Sequence, residues 1–138
     1  MQTKVVLCAD IIIEYPDGSI VLGKRKSKPW QGHWALPGGK LDGEETIQET
    51  AIREAKEETG LDIKLIRIVG IYSEPGRDPR GRFVSVCFLA KPGKGKLKAG
   101  SDAAEVMKTK TPQLLELAAD HNIIITDYLN QKKKMQQK

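Results

Sequence analysis

The sequence GKLDGEETIQETAIREAKEETGL occupies residues 39–61 and decides how the rest of the chain is interpreted. Apolar side chains recur at helical spacing over residues 44–59, and Gly60 follows them as a typical helix end. Asp42, with Glu45 three positions later, has the form of a capping box. We therefore predict a helix over residues 44–59, preceded by a glycine-rich loop.

Three glutamates share one side of this predicted helix. At about 100° per residue, Glu54, Glu57 and Glu58 fall within an arc of about 100° that borders the apolar face. Carboxylates this close repel one another unless a cation compensates them, and hard oxygens on one face suit Mg²⁺ or Mn²⁺. The alternative is a solvated acidic stripe with basic partners, because Arg53 can reach Glu57 four positions along the helix.

The loop before the helix, WALPGGKLDG at residues 34–43, is too rich in glycine to be part of a core. The adjacent Gly38 and Gly39 would let backbone groups approach a ligand or a metal closely. The alternative interpretation is an ordinary tight turn. A metal or ligand site next to the carboxylate stripe is the functional hypothesis.

The spacing of these residues resembles a known signature. Gly39, five residues, Glu45, seven residues and then REAKEETGL at residues 53–61 is similar to the Nudix box, Gly-x5-Glu-x7-Arg-Glu-U-x-Glu-Glu-x-Gly-U, in which U is aliphatic. Nine positions match over 23 residues, with Ala55 small for its aliphatic position. The resemblance implies an α/β (α+β) fold, the Nudix α/β/α sandwich with a mixed central sheet and a loop–helix–loop catalytic box.

The resemblance also implies a reaction, the metal-dependent hydrolysis of a nucleoside diphosphate linked to another moiety. Arg53 would orient carboxylates rather than touch substrate. The general base varies within the family, so a box glutamate such as Glu57, or a glutamate in a later loop, would serve. By position, the implied metal ligands in the box are the Gly39 carbonyl, Glu54, Glu57 and Glu58.

A second loop, SEPGRDPRG at residues 73–81, lies between two predicted strands and is rich in arginine. Guanidinium forks suit diphosphate or ribose-phosphate oxygens, whereas the alternative is a surface hairpin with solvated arginines. The loop resembles the corresponding segment of ADP-ribose pyrophosphatases. The substrate-binding candidates here are Arg77, Arg80 and Arg82.

The segment SDAAEV at residues 101–106 also resembles that group. There, a glutamate in a late loop joins metal binding or catalysis, which implies both roles for Glu105. We expect its loop to order over substrate and bring this carboxylate to the metal. The alternative is a carboxylate at a strand end, paired with Lys108 or Lys110.

The aromatic and histidine side chains carry weaker signals. Trp30 follows a proline in a loop and is a candidate for stacking on adenine, whereas Trp34 is expected in the core. His33 and His121 have no partner histidine at metal-ligand spacing, so we interpret both as structural. Cys8 and Cys87 lie in apolar runs, which favours buried reduced thiols over a disulfide.

The remaining sequence favours a mixed sheet between helices in one domain of residues 1–131, followed by a basic, frayed tail at residues 132–138. Residues 4–14 are apolar at both alternating sets of positions, as in a strand covered on both faces. Residues 91–98 hold four lysines and indicate a solvated loop. The other predicted strands are residues 19–25, 62–73, 82–90 and 103–108, and the other predicted helices are residues 112–119 and 123–131.

The 138 residues carry a net charge of +5 and no apolar run long enough for a membrane span, and no signal peptide is visible. We therefore expect a cytoplasmic hydrolase that acts on a small nucleoside diphosphate, with no specific nucleic acid or membrane partner. By resemblance, we expect a homodimer.

Three functions remain open from the sequence. The first is the hydrolysis of ADP-ribose to AMP and ribose 5-phosphate with Mg²⁺, or with Mn²⁺ in its place. The second keeps the domain and changes the substrate to a damaged nucleoside triphosphate or another nucleoside diphosphate conjugate. The third is a non-catalytic module that senses ADP-ribose, although the complete box and the short sequence after residue 127 argue against it.

Overall fold

The computed structural model describes residues 3–100 and 103–136. Two of the six residues of the segment SDAAEV, at positions 101 and 102, and the last two residues of the predicted tail, 137 and 138, therefore lie outside the described residues. The strands are β1 (Val5–Ile13), β2 (Ile20–Arg25), β3 (Trp34–Ala35), β4 (Gly38–Lys40), β5 (Leu61–Tyr72), β6 (Arg82–Gly95) and β7 (Ala103–Thr109). The helices are α1 (Ile47–Thr59) and α2 (His121–Gln136), with a single 3₁₀ turn at Pro112–Leu114.

The strands form two sheets. The four-stranded sheet has the order β4-β1-β6-β5, in which β1 and β6 are parallel and the other two pairings are antiparallel. The three-stranded sheet has the order β3-β2-β7 and is antiparallel. The predicted mixed sheet between helices is thus confirmed, and the strands predicted at residues 19–25 and 103–108 belong to a second sheet.

Strand β1 is covered on both faces, as its doubly apolar pattern predicted. Ile11 and Ile13 on one face join a core cluster with Ala51 and Ala55 of α1. Ile12 on the other face joins a cluster with the α2 side chains Ile124, Ile125 and Tyr128. Because successive side chains of a strand point to opposite faces, the two helices cover opposite sides of the same strand.

Helix α1 begins three residues later than predicted. Its N-cap is Thr46, whose hydroxyl accepts from the Glu49 amide at 3.1 Å while the Glu49 carboxylate accepts from the Thr46 amide at 2.9 Å. The predicted box of Asp42 and Glu45 is therefore wrong. The reason is that the Glu45 carboxylate is bound by the side chains of Thr50 and Arg53.

The C-terminal elements also differ from the prediction. Residues 112–119 form only one 3₁₀ turn, because Leu117 and Ala118 instead run alongside Trp34 of β3, where the Ala118 amide donates to the Trp34 carbonyl at 2.9 Å. Helix α2 continues to Gln136, so residues 132–136 are helical and the predicted frayed tail does not begin at residue 132. Lys132 fixes this part of the helix through an ion pair of 2.6 Å with Glu14.

The first half of the predicted lysine loop is strand. Residues 91–95 continue β6 and pair with the start of β5, where Leu61 lies opposite Gly95. The chain then returns to α1, because the Lys98 amide donates to the Thr59 carbonyl and the Gly100 amide donates to the Glu58 carbonyl. None of the described helices combines the length and the hydropathy that crossing a membrane would need.

Candidate active site

Arg53 donates hydrogen bonds to carboxylates of α1 and of the residues before it. Its Nε donates to Glu45 at 2.7 Å, and its Nη1 donates to Glu54 at 2.7 Å and to Glu57 at 3.2 Å. The hydrogen bond to Glu45, followed by that to Glu54, raises the pKa of the guanidinium above its ordinary value. Arg53 therefore contacts three carboxylates within and just before α1, and its role in orienting them stays a prediction.

Two adjacent glycines let β4 approach the glutamates of α1. The Gly38 amide donates to Glu58 Oε2 at 2.8 Å. A side chain at residue 39 would place its Cβ within 2.3–2.6 Å of the Glu54 carboxylate. At residue 38 a Cβ would lie 2.3 Å from the Ala9 carbonyl oxygen, so a larger residue would displace the β1 backbone there and the Glu54 carboxylate at residue 39.

The donor set at this corner fits a hard divalent cation. Glu54 and Glu58 lie against the β4 backbone, Glu57 is half-exposed beside them, and carboxylate and carbonyl oxygens are the ligands that Mg²⁺ and Mn²⁺ prefer. Within residues 3–100 and 103–136, no three potential ligand side chains already converge on one point.

Two cavities meet at β4. One is open, with a volume of about 730 Å³, and lies beside Arg53, Glu54 and Glu58. The other is narrower, about 190 Å³, and extends under the arginine-rich loop to the start of α2. Residues 38–40 and Glu58 line both cavities, so a ligand bound at the glutamates can extend into the narrower one.

The three candidate arginines differ in their surroundings. Arg77 is only 6% exposed, and its Nε and Nη2 hold both oxygens of Asp120 at 2.8 and 2.7 Å. Arg80 is 41% exposed, pairs with Asp78 at 2.7 Å and lines the narrow cavity. Arg82 has a buried Nη1 with no hydrogen-bond partner among the described residues, and it lies outside the described lining of both cavities.

The structure places Glu105 within a strand rather than in a loop that could close over substrate. It lies opposite Lys24 in the pairing of β7 with β2, and Lys24 Nζ approaches its carboxylate at 3.4 Å. The expected partners Lys108 and Lys110 are therefore replaced by Lys24. The Glu105 side chain is 61% exposed, so its carboxylate is available to solvent and to ligands.

The two tryptophans differ in their surroundings. Trp30 lines the narrow cavity and has a positive φ of 61°, whereas Trp34 packs against the core cluster of α2.

Cys8 and Cys87 are free and buried, and burial followed by the charge of Asp10 raises the pKa of the Cys8 thiol to about 11. His33 is half-buried and outside the described lining of either cavity.

Sequence reasoning did not identify Asp10, Asp120 and His121 as site residues. The narrow cavity is lined by Asp10 and His121, and Asp120 fixes Arg77 in its wall. Asp10 had a signal that could have been used, since it is the one charged residue within the run VVLCADIII of residues 5–13. For His121, which was interpreted as structural, the sequence shows no signal, because its neighbours come from distant parts of the chain.

Comparisons with known proteins agree on one family. Residues 5–128 match the NUDIX domain family. An ADP-ribose pyrophosphatase from Methanocaldococcus jannaschii is 46% identical over 126 residues, which is 91% of this chain and 74% of the relative. An ADPR responsive transcriptional repressor from Acinetobacter baylyi is 31% identical over 77% of this chain, which spans only 44% of that protein.

The fold also matches solved structures. A bifunctional NMN adenylyltransferase/ADP ribose pyrophosphatase from Francisella tularensis, complexed with AMP and a Mn ion, superposes with a TM-score of 0.82 and 27% identity. The match covers 94% of this chain and 42% of that one. The domain described here thus corresponds to less than half of that larger protein.

We predict that Arg77 contributes mainly to stability. Arg77→Ala leaves the largely buried Asp120 without its partner, which should lower the free energy of unfolding by about 3 kcal/mol in urea titrations. Lys24→Ala is the control and should cost about 1 kcal/mol or less, because both members of its ion pair with Glu105 are exposed. Equal losses of unfolding free energy in the two variants would contradict the stabilising role of Arg77.

Proposed function

This chain belongs to the NUDIX domain family, and from that premise we propose that it is a Mg²⁺-dependent ADP-ribose pyrophosphatase. Water would cleave the diphosphate of ADP-ribose to give AMP and ribose 5-phosphate, with one P–O bond broken and one formed. The observation that carries the proposal is the meeting, at residues 38–40, of the glutamate corner of α1 with a cavity deep enough for a further group. The identity of 46% to an ADP-ribose pyrophosphatase supports this substrate.

The proposed cation site consists of oxygen ligands alone: the Gly39 carbonyl, Glu54, Glu57, Glu58 and Glu105. When bound there, Mg²⁺, or Mn²⁺ in its place, supplies charge neutralisation for the diphosphate and a more acidic bound water. Arg53 keeps the box carboxylates oriented in the free protein and balances part of their charge. Glu57 or Glu105 accepts the proton of the attacking water, because both carboxylates are exposed enough to meet it.

The proposed substrate contacts follow the two cavities. Arg80, which is 41% exposed and lines the narrow cavity, would offer its guanidinium to the diphosphate, and Gly38 lines the same cavity. Trp30 supplies an aromatic face for the adenine. Arg82 would add positive charge beside the loop, and Arg77, which is bound to Asp120 and Ser85, would position the loop.

A sensing module is the second candidate, because one relative is an ADPR responsive repressor. Such a module needs the ligand site and does not need the water-activating carboxylates. This chain retains all three box glutamates and the arginine that orients them, which favours hydrolysis. Nucleoside triphosphates are the alternative substrates and belong in the same assay.

We also propose a homodimer and a cytoplasmic location. Strand β5 is at the edge of the four-stranded sheet and exposes Ile66, Ile68 and Ile71. An exposed apolar edge strand is normally covered, and a second copy of the chain would cover it. The two free thiols suit a reducing compartment.

The first prediction for this function concerns the glutamates. ADP-ribose, incubated with the protein and Mg²⁺, should give AMP and ribose 5-phosphate, resolved by chromatography, and a chelator should abolish the reaction. The double variant Glu57→Gln, Glu58→Gln should lose at least about 100-fold in kcat, because it removes two anionic ligands while nearly keeping their volume. Glu44→Gln, a change in the exposed turn before α1, is the control. Near-normal turnover by the double variant would disprove the cation site.

The second prediction concerns Glu105. Glu105→Gln should lower kcat by about 100-fold if its carboxylate takes the proton from water. Lys24→Ala is the matched control, because it breaks the same exposed ion pair and leaves the carboxylate in place. A loss of less than about threefold in Glu105→Gln at saturating Mg²⁺ would exclude the general-base role and favour Glu57. An equal loss in Lys24→Ala would assign Glu105 a structural role.

The third prediction concerns the dimer. Light scattering after gel filtration should give twice the chain mass of 15.3 kDa for the unmodified protein. Ile66→Lys combined with Ile68→Lys should give the monomer, because two charges would be buried at the β5 edge. Ile123→Lys changes a similarly exposed isoleucine on α2 and should leave the dimer intact. A monomer before any substitution would disprove the assembly.

A further inference from the structure

The floor of the narrow cavity contains an ionisable pair that the proposed chemistry does not use. Asp10 and His121 are only 8% and 9% exposed, and both line the cavity. Asp10 lies in β1 on the same face as Ile12, which belongs to the core around α2. Placing a carboxylate in the middle of a core strand is costly unless other groups bind it.

The hydrogen bond from Leu36 determines what His121 presents to the cavity. The Leu36 amide donates to His121 Nδ1 at 3.0 Å, so Nδ1 is the acceptor and, in the neutral ring, the proton is on Nε2. Nε2 lies 3.8 Å from Asp10 Oδ1, which is longer than a hydrogen bond. The cavity floor therefore offers a donor and an acceptor side by side, each with capacity for a further partner.

One hydroxyl group can satisfy both atoms. An oxygen placed about 2.8 Å from each can donate its proton to Asp10 and accept the Nε2 proton of His121. Ser85, almost fully buried in the same lining, adds a third polar group. Its oxygen accepts from Arg77 Nη1 at 2.9 Å, which leaves the hydroxyl proton for another acceptor. The floor thus matches a group with several hydroxyls better than it matches a flat base.

The position of Asp10 connects this floor to the glutamate corner. Asp10 pairs with Gly38 across β1 and β4, and a Cβ on Gly38 would lie 2.5 Å from Asp10 Oδ1. The Gly38 amide in turn donates to Glu58. The cavity floor and the carboxylates of α1 are therefore separated by one residue of β4, so the group that reaches the floor is the one attached directly to the diphosphate.

We propose that Asp10 and His121 form a sugar subsite, which binds the hydroxyls of the ribosyl group joined to the diphosphate and selects for that group. This inference rests on the proposed function for the diphosphate, and it adds the recognition of the sugar. ADP-ribose has a ribosyl group on each side of its diphosphate, and the same chemistry would bind either. The base is the less suitable occupant, because Phe83 in the lining already faces the guanidinium of Arg80 at 4.9 Å.

The test measures the binding of fragments to metal-free protein, so it does not depend on turnover. Ribose 5-phosphate and AMP represent the two ribosyl groups, and tetrahydrofurfuryl phosphate is the matched ligand without hydroxyls. Asp10→Asn should weaken the binding of ribose 5-phosphate or AMP by at least about tenfold, because a neutral amide oxygen replaces the charged acceptor. Binding of tetrahydrofurfuryl phosphate should not change. The fragment that responds identifies which ribosyl group occupies the subsite.

Two further measurements cover the case in which Asp10→Asn fails to fold. His121→Asn keeps an acceptor for the Leu36 amide and removes the Nε2 donor, and it should weaken the same fragment by a similar factor. In the unmodified protein, the amide resonance of Leu36 should shift when that fragment is added and should stay in place with tetrahydrofurfuryl phosphate. His33→Asn, outside the described cavity lining, is the control for a histidine substitution.

Three outcomes would overturn the subsite. The first is equal binding of the hydroxylated fragments by the unmodified protein and both variants. The second is equal loss of the hydroxylated and hydroxyl-free fragments, which would indicate a general defect. The third is a variant that changes the preference between AMP and IMP, since this would place the base at the floor. If ADP-ribose is hydrolysed but the fragments fail the test, the sugar subsite is disproved and the proposed activity is not. If the fragments bind through Asp10 but ADP-ribose is not hydrolysed, the proposed pyrophosphatase activity is disproved and the subsite is not.

Discussion

The close approach of strand β4 to its neighbours is the constraint on which the rest of the site depends. Gly38 lies against Asp10 of β1 on one side and donates its amide to Glu58 of α1 on the other, and Gly39 lies against the Glu54 carboxylate. A side chain at either position would overlap one of these carboxylates. Two residues without side chains therefore hold a helix, a strand and a loop at the distances that a small charged ligand requires.

Arg53 and Arg77 each bind several acceptor groups, Arg53 beside α1 and Arg77 beside the start of α2. Arg53 holds carboxylates that sequence spacing places together on one helix, whereas Arg77 joins Asp120 and Ser85 from different parts of the chain. Both guanidiniums are held by several hydrogen bonds, so neither offers its full fork to a ligand. Arg80, in the same loop as Arg77, is the more exposed and has a single carboxylate partner. Burial thus assigns different tasks to arginines that the sequence presents as alike.

The sequence predicted what depends on local periodicity. The helix that carries Glu54, Glu57 and Glu58, the doubly covered strand β1 and the buried thiols are confirmed by the structure. Features that depend on long-range contacts were not predictable in this way. Helix α1 begins at Ile47, after the N-cap Thr46, because Glu45 is engaged by Arg53. The helix predicted at residues 112–119 is limited to one 3₁₀ turn because Leu117 bridges to Trp34 of β3. Glu105 lies in the strand predicted at residues 103–108, whereas the resemblance implied a loop, and its partner Lys24 comes from the pairing of β7 with β2. The functional assignments of these side chains stay predictions.

The same reasoning explains why Asp10 and His121 escaped notice. Asp10 within the run VVLCADIII does not change the periodicity of the strand. Its proposed role in ligand binding depends on His121, which is 111 positions later in the chain. Only the parallel pairing of β1 with β6 and the packing of α2 across that sheet bring the two together. The two faces of the sheet therefore carry different groups. Helix α1 on one face carries groups suited to a cation, and the start of α2 on the other face carries groups suited to a sugar. Because Asp10 and His121 belong to β1 and α2 whereas the box glutamates belong to α1, a change in the residues that contact the sugar would leave the cation ligands in place. One fold can therefore keep its diphosphate chemistry while the group beyond the diphosphate varies.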